Sequence, residues 1–153
     1  MNKKSTLLLL VVLTFLIGLA VYVAINIKEE KSRSMLLTRT QNAISDYRSG
    51  AKPDIDFSSI IHFSWERMYI FGPYSACSRI NNTIGINWLG CKYIGIEYYE
   101  NGSLFIFVEK KRVVQYMVYD GIFTETNSAE GFSFQEAHFI VNEEGIIRWA
   151  YEK

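Results

Sequence analysis

The sequence predicts an α+β protein: an N-terminal transmembrane helix, then a small antiparallel sheet of four to six strands with one or two helices on one face. Three observations carry this. Ser5 to Ile27 holds no charged residue in 23 positions. Beyond it, nine Tyr, nine Phe and three Trp fall mostly in short alternating runs, the pattern of pleated, half-buried surfaces. Those runs are punctuated by turn signals (Gly72-Pro73, Asn101-Gly102, Asp120-Gly121) at short spacing.

The uncharged run sets the organisation. At about 1.5 Å per residue it reaches roughly 35 Å as a helix, enough for a hydrocarbon core of about 30 Å. Lys3 and Lys4 precede it, the flank of a signal peptide or signal anchor. Lys28, Lys31 and Arg33 follow, interleaved with Glu29 and Glu30, so the rule that basic flanks stay inside is nearly balanced. The short N-terminal tail favours a cytoplasmic N-terminus, with the bulk of the chain outside the cytoplasm. A cleaved, secreted form is the rival: Gly18 and Ala20 meet the −3/−1 spacing of a cleavage site, whereas Tyr22 and Ala24 do not. No cysteine lies at the end of the run, which excludes a lipoprotein modification. The expected divisions are an anchor at 1–27, a juxtamembrane helix and linker at 28–53, and an extracytoplasmic domain at 54–153.

Charge excludes one class of partner. The chain has 16 basic and 16 acidic side chains; without Lys3 and Lys4, 14 face 16, a balance of about −2. Nucleic-acid binding needs a concentrated basic face, so none is expected. The membrane, through residues 5–27, is the first expected partner.

Taken in order, Leu36, Leu37, Thr40, Ile44 and Tyr47 recur at three- and four-residue spacing, one apolar stripe of a helix over 34–47. Gly50 stops it and Pro53 prevents continuation. His62–Phe71 alternates as a strand, with a phase change at Glu66-Arg67 that reads as a β-bulge. Ser75 is placed to cap a short helix whose Cys77, Ile80 and Ile84 share a face, and Gly85 supplies its left-handed end. Ile94–Tyr98, Leu104–Glu109 and Val113–Tyr119 then read as a three-stranded meander, the first turn being Asn101-Gly102, a strong hairpin signal. Residues 122–136 read as a loop. Ala137–Val141 and Ile146–Tyr151 form a last hairpin around 142–145.

Candidate chemistry is sparse. Cys77 and Cys91, the only cysteines, form a disulfide candidate outside the cytoplasm, worth about 3 kcal/mol in the chain-entropy model; equally, Cys77 on its apolar face reads as a small hydrophobe. Two cysteines and two distant histidines lack the spacing of a zinc site, and no cofactor fingerprint, nucleophile elbow or metalloprotease motif occurs. Two glycosylation sequons, at Asn81 and Asn101, matter only in a eukaryotic secretory route. No catalytic constellation stands out, so a non-enzyme is expected. The leading expectation is an interaction or binding module presenting Tyr98, Tyr99, Tyr116 and Tyr119, since tyrosine gives contact area at low entropic cost. Its partner would be another envelope protein, a toxin or a second copy. Two alternatives stand beside it. One is an envelope hydrolase using Glu66, His62 or His138 as acid or base, which requires two of these in one cleft. The other is a structural spacer or assembly protein.

The run Phe63–Tyr74, with its W-x-x-M-Y-I-F-G-P-Y sequence, followed by a helix to Gly85, resembles a segment of small uncharacterised bacterial envelope-anchored proteins, as does the layout of anchor first and meander after. The resemblance implies a bacterial, extracytoplasmic location and no activity; the lipid-bearing cysteine of one branch is absent here.

Overall fold

The computed structural model describes residues 3–121, 123, 130–142 and 146–151. They form an α+β fold: one long apolar N-terminal helix, two small antiparallel sheets and a few short helices. The chain divides into two compact units, Met1–Met35 and Leu36–Lys153. The first is the apolar part of helix α1, which runs unbroken from Lys3 to Arg48. Its side chains from Leu10 to Ile27 are exposed throughout, and it is long and apolar enough to cross a membrane.

The second unit begins inside the same helix. Leu36, Thr40 and Ile44, spaced by four, are buried, with Ala43 and Tyr47 partly so. The Thr40 hydroxyl is satisfied by donating to the Leu36 carbonyl at 3.0 Å. The stripe expected over 34–47 is therefore present, on a helix that both prolongs the apolar run and packs into the domain core, and the division between the two units falls at Met35/Leu36. Gly50, at φ 77°, follows the helix end as expected.

β1 (Ile55–Asp56) leads into α2 (Phe57–Ile60), whose first turn is capped by Asp56 accepting from the Ser58 amide at 2.8 Å. β2 (Arg67–Phe71), α3 (Cys77–Ile84), α4 (Gly90–Ile94), β3 (Ser103–Glu109), β4 (Arg112–Tyr119), β5 (Phe132–Ser133), β6 (His138–Val141) and β7 (Ile147–Trp149) follow. One sheet has the order β4-β3-β2-β5 and the other β1-β6-β7, all neighbours antiparallel.

The larger sheet is covered on both faces. Phe105 and Phe107 of β3, with Met68 and Ile70 of β2, join the core that contains Leu36, Ile44, Phe57 and Phe139. Leu104, Ile106 and Val108, with Tyr69 and Phe71, face Ile80, Ile84, Cys91 and Ile96. Two buried faces explain why Leu104–Val108 is a continuous apolar run, where a one-faced strand would alternate. This corrects the expectation that helices cover only one face. The two sheets meet through packed aromatics: Phe57 stacks on Phe105 at 5.3 Å between centroids and meets Phe139 edge-to-face at 5.5 Å, and Phe105 meets Phe123 edge-to-face at 4.7 Å. Such pairs add about 0.5–1.5 kcal/mol beyond area burial.

Several local expectations are corrected. Ile94–Tyr98 is not a strand. Gly95 takes φ 66° and ends α4, and Ile96–Tyr98 forms a single 3-10 turn, so Asn101-Gly102 leads into β3 instead of joining two strands. The three-stranded meander reduces to the β3–β4 hairpin, turned by Lys110 and Lys111, both at positive φ (49° and 59°), the requirement of a type I′ turn. The third strand is supplied by β2, paired with β3 from Arg67↔Val108 to Phe71↔Leu104. The irregularity expected at Glu66-Arg67 lies instead between Phe107 and Val108 in the β3–β4 pairing. Ser75 does not cap α3: Ala76 holds that position without a side-chain bond, and Ser75 is buried, its Oγ 3.4 Å from Arg79 Nη1. Gly85 ends α3 at φ 66°, as expected. The final hairpin exists as β6–β7. Residues 122 and 124–129 of the expected loop, and 143–145 of the last turn, lie outside the described residues.

Candidate functional site

The segment Tyr74–Tyr99 forms the outer cover of the larger sheet, and two ties hold it. Cys77 and Cys91 are bonded as a disulfide, their Cα atoms 5.4 Å apart, joining α3 to α4. The Tyr74 amide donates to the Ile96 carbonyl at 3.2 Å, joining the turn after β2 to the 3-10 turn. Beneath these ties Ile80, Ile84 and Ile96 are buried. Above them, large side chains stand in solvent: Tyr93 is 88% exposed, Tyr98 80%, Tyr74 67% and Leu89 59%. Tyr74 is further distinguished by its backbone. It follows Pro73 in a turn at φ 61°, a left-handed conformation that favours glycine and costs an L-residue about 1–2 kcal/mol. A large side chain kept at such a position, and turned outward, marks a functional constraint more readily than a packing one.

Of the four tyrosines named from sequence, Tyr98 and Tyr99 lie on this surface. The Tyr98 hydroxyl is held above the usual phenol range by Glu97, which takes part in a hydrogen bond with it and adds its charge. Tyr116 and Tyr119 are half-buried. Tyr116 packs its ring 5.3 Å from Trp88 on one face of the sheet, and Tyr119 lies edge-on to Phe123 at 5.3 Å on the other. Alternation along β4 sends them to opposite covered faces. Tyr74, Leu89 and Tyr93 were missed; the Pro73-Tyr74 turn and the unpatterned Leu89 and Tyr93 between two glycines were the available signals.

The candidate acid and base groups are not gathered together. Glu66 is exposed and accepts from the Lys110 amide at 3.1 Å. His138 is half-buried, its Nδ1 2.6 Å from Asp54 Oδ2 and its Nε2 3.8 Å from Asp56 Oδ1. Since a carboxylate only accepts, Nδ1 is the donor. Asp56 is also engaged by the Ser58 hydroxyl at 2.6 Å, so both aspartates brace the β1–β6 corner. His62 is exposed and lines a groove of about 470 Å³ with Arg39, Asp46, Lys52, Asp54 and Asp56; His138 does not line it. Elsewhere, the Ser133 hydroxyl and amide hold the Glu136 carboxyl below its ordinary range, and burial raises the Tyr69 hydroxyl. Among the described residues, no three His, Cys, Asp or Glu side chains are arranged to hold a metal. Of the sequon residues, Asn81 bonds with Asn87 and Ser103 is buried against Gly121 and Phe123, while Asn101 is exposed.

The chain matches no protein-family model, no curated protein and no solved structure. Its functional reading therefore rests on its own residues.

Proposed function

We propose that this chain is a single-pass membrane protein whose Leu36–Lys153 unit lies outside the cytoplasm, in a bacterial envelope, and works as a protein-interaction module through its Tyr74–Tyr99 surface. The observation that carries the reading is the set of exposed aromatics on that segment, one of them on a strained backbone. Monomeric proteins rarely leave large apolar side chains together on one surface without a partner, and tyrosine is the residue that interfaces favour. Two further observations support the location: the apolar helix, exposed along its length, and the Cys77–Cys91 disulfide, since such bonds persist in oxidising compartments. The partner is a second envelope protein.

The test is a photo-crosslinking amino acid placed at Tyr93 or Tyr98 of the full chain in its native membrane. The reading expects a discrete crosslinked species at these positions and none at exposed Lys52. Equal crosslinking at all three, or none at any, would remove the interaction role from this surface.

A further inference from the structure

The groove lined by Arg39, Asp46, Lys52 and the β1–α2 corner has no part in the interaction surface, yet it carries charges of both signs that do not neutralise one another. Arg39, Asn42, Ala43 and Asp46 project from one face of α1 at spacings of three and four. Lys52 and Asp54 come from the turn after α1, and Asp56, Ser59 and His62 from β1, α2 and the loop beyond. Ala43 and the buried Ile60 supply an apolar floor. The side chains of Arg39, Asp46 and Lys52 make no hydrogen bond or ion pair among the described residues. Arg39 and Asp46 are seven residues apart on one helix, hence roughly 10 Å along its axis, too far to pair with each other. The volume, about 470 Å³, lies in the range of small-molecule sites.

We propose that this groove binds a small zwitterion of dipeptide size, its carboxylate held by Arg39 and Lys52 and its ammonium group by Asp46, with Asp54 and Asp56 beyond. Guanidinium suits a carboxylate because its planar fork donates two parallel bonds. A plain anion meets three aspartates on the same walls, and a plain cation meets Arg39 and Lys52, so a ligand of one sign is disfavoured either way. The span selects the size. Two opposite charges one to two residues apart along a peptide, at about 3.5 Å per residue, match a gap of roughly 10 Å closed from both ends by flexible side chains. Asp54 and Asp56 are already braced by His138 and Ser58, so the wall they form is preorganised before a ligand arrives.

The experiment is ligand-observed NMR and calorimetry on the purified full chain in nanodiscs. The probes are L-alanyl-L-alanine, free alanine, N-acetyl-alanyl-alanine and alanyl-alanine amide. The proposal expects saturable binding of the dipeptide, and a loss of at least about tenfold, or 1.4 kcal/mol, when either terminus is blocked. Arg39→Ala and Asp46→Asn should each weaken it by a similar factor without moving the thermal midpoint; if either variant misfolds, Lys52→Ala takes its place. Alanine binding as well as the dipeptide would keep the zwitterion and identify a free amino acid as its source. The proposal is overturned if neither zwitterion saturates at about 10 mM, if a blocked dipeptide binds equally, or if the substitutions leave affinity unchanged.

Discussion

Helix α1 obeys two opposite rules of solvation along one unbroken rod. From Leu10 to Ile27 it is apolar on every side and every described side chain is exposed. From Leu36 to Tyr47 it is polar except for one stripe, and that stripe is buried. Backbone geometry is the same in both, so the difference lies in what covers the apolar surface. The second stretch is covered by its own domain, through Met117, Phe107 and their neighbours. Among the described residues the first is exposed, and burying such a surface in hydrocarbon is what an uncharged run of 23 residues suits.

The two halves should therefore answer differently to substitution. The largest effect is expected from Leu13→Arg with Leu16→Arg. Each arginine near a bilayer centre costs about 2.5–3.5 kcal/mol on insertion scales, so the chain should leave the carbonate-resistant membrane fraction. The domain's unfolding midpoint should stay unchanged, and retention in the membrane would break the comparison. Next, Ile44→Ala should cost the domain about 2–4 kcal/mol by opening a cavity, read by denaturant unfolding, while Ile17→Ala should cost it nothing. Equal effects would mean that the division at Met35/Leu36 is misplaced. Replacing Cys77 and Cys91 by serine should remove about 3 kcal/mol, without changing membrane association. The smallest stability effects belong to the aromatic surface. Tyr98→Ala should stay within about 0.5 kcal/mol while abolishing the crosslink at Tyr93. Tyr74→Gly should be neutral or stabilising by up to about 1 kcal/mol, because it relieves a left-handed residue, yet it should weaken the same contact. Loss of stability in Tyr74→Gly would show that the ring is structural.

Elements whose periodicity matched their cover were legible in the sequence: the apolar run, the Leu36–Ile44 stripe, the Ile80–Ile84 face with its Gly85 end, and the β3–β4 and β6–β7 hairpins. Ile94–Tyr98 misled because Ile-Gly-Ile-Glu-Tyr alternates as a strand does. Its conformation is decided by Gly95 turning left-handed and by Cys91 being tied to Cys77, and neither tie is encoded in local pattern. Tyr116 and Tyr119 misled for another reason. Alternation tells that two residues face opposite sides of a sheet, not that both sides are covered, and here they are. Tyr74 and Tyr93 were hidden because exposure of single residues between turns has no periodic signature.

The account stands on the apolar half of α1 crossing a membrane with the domain beyond it. The direct test is a Glu100→Cys variant of the full chain, at an exposed position outside the disulfide, treated in intact cells with a membrane-impermeant maleimide, the carbonate-resistant fraction then being scored for label. Labelling in intact cells, on protein that stays with the membrane, is the predicted result. Labelling only after lysis, or labelled protein found only in the soluble fraction, would contradict it.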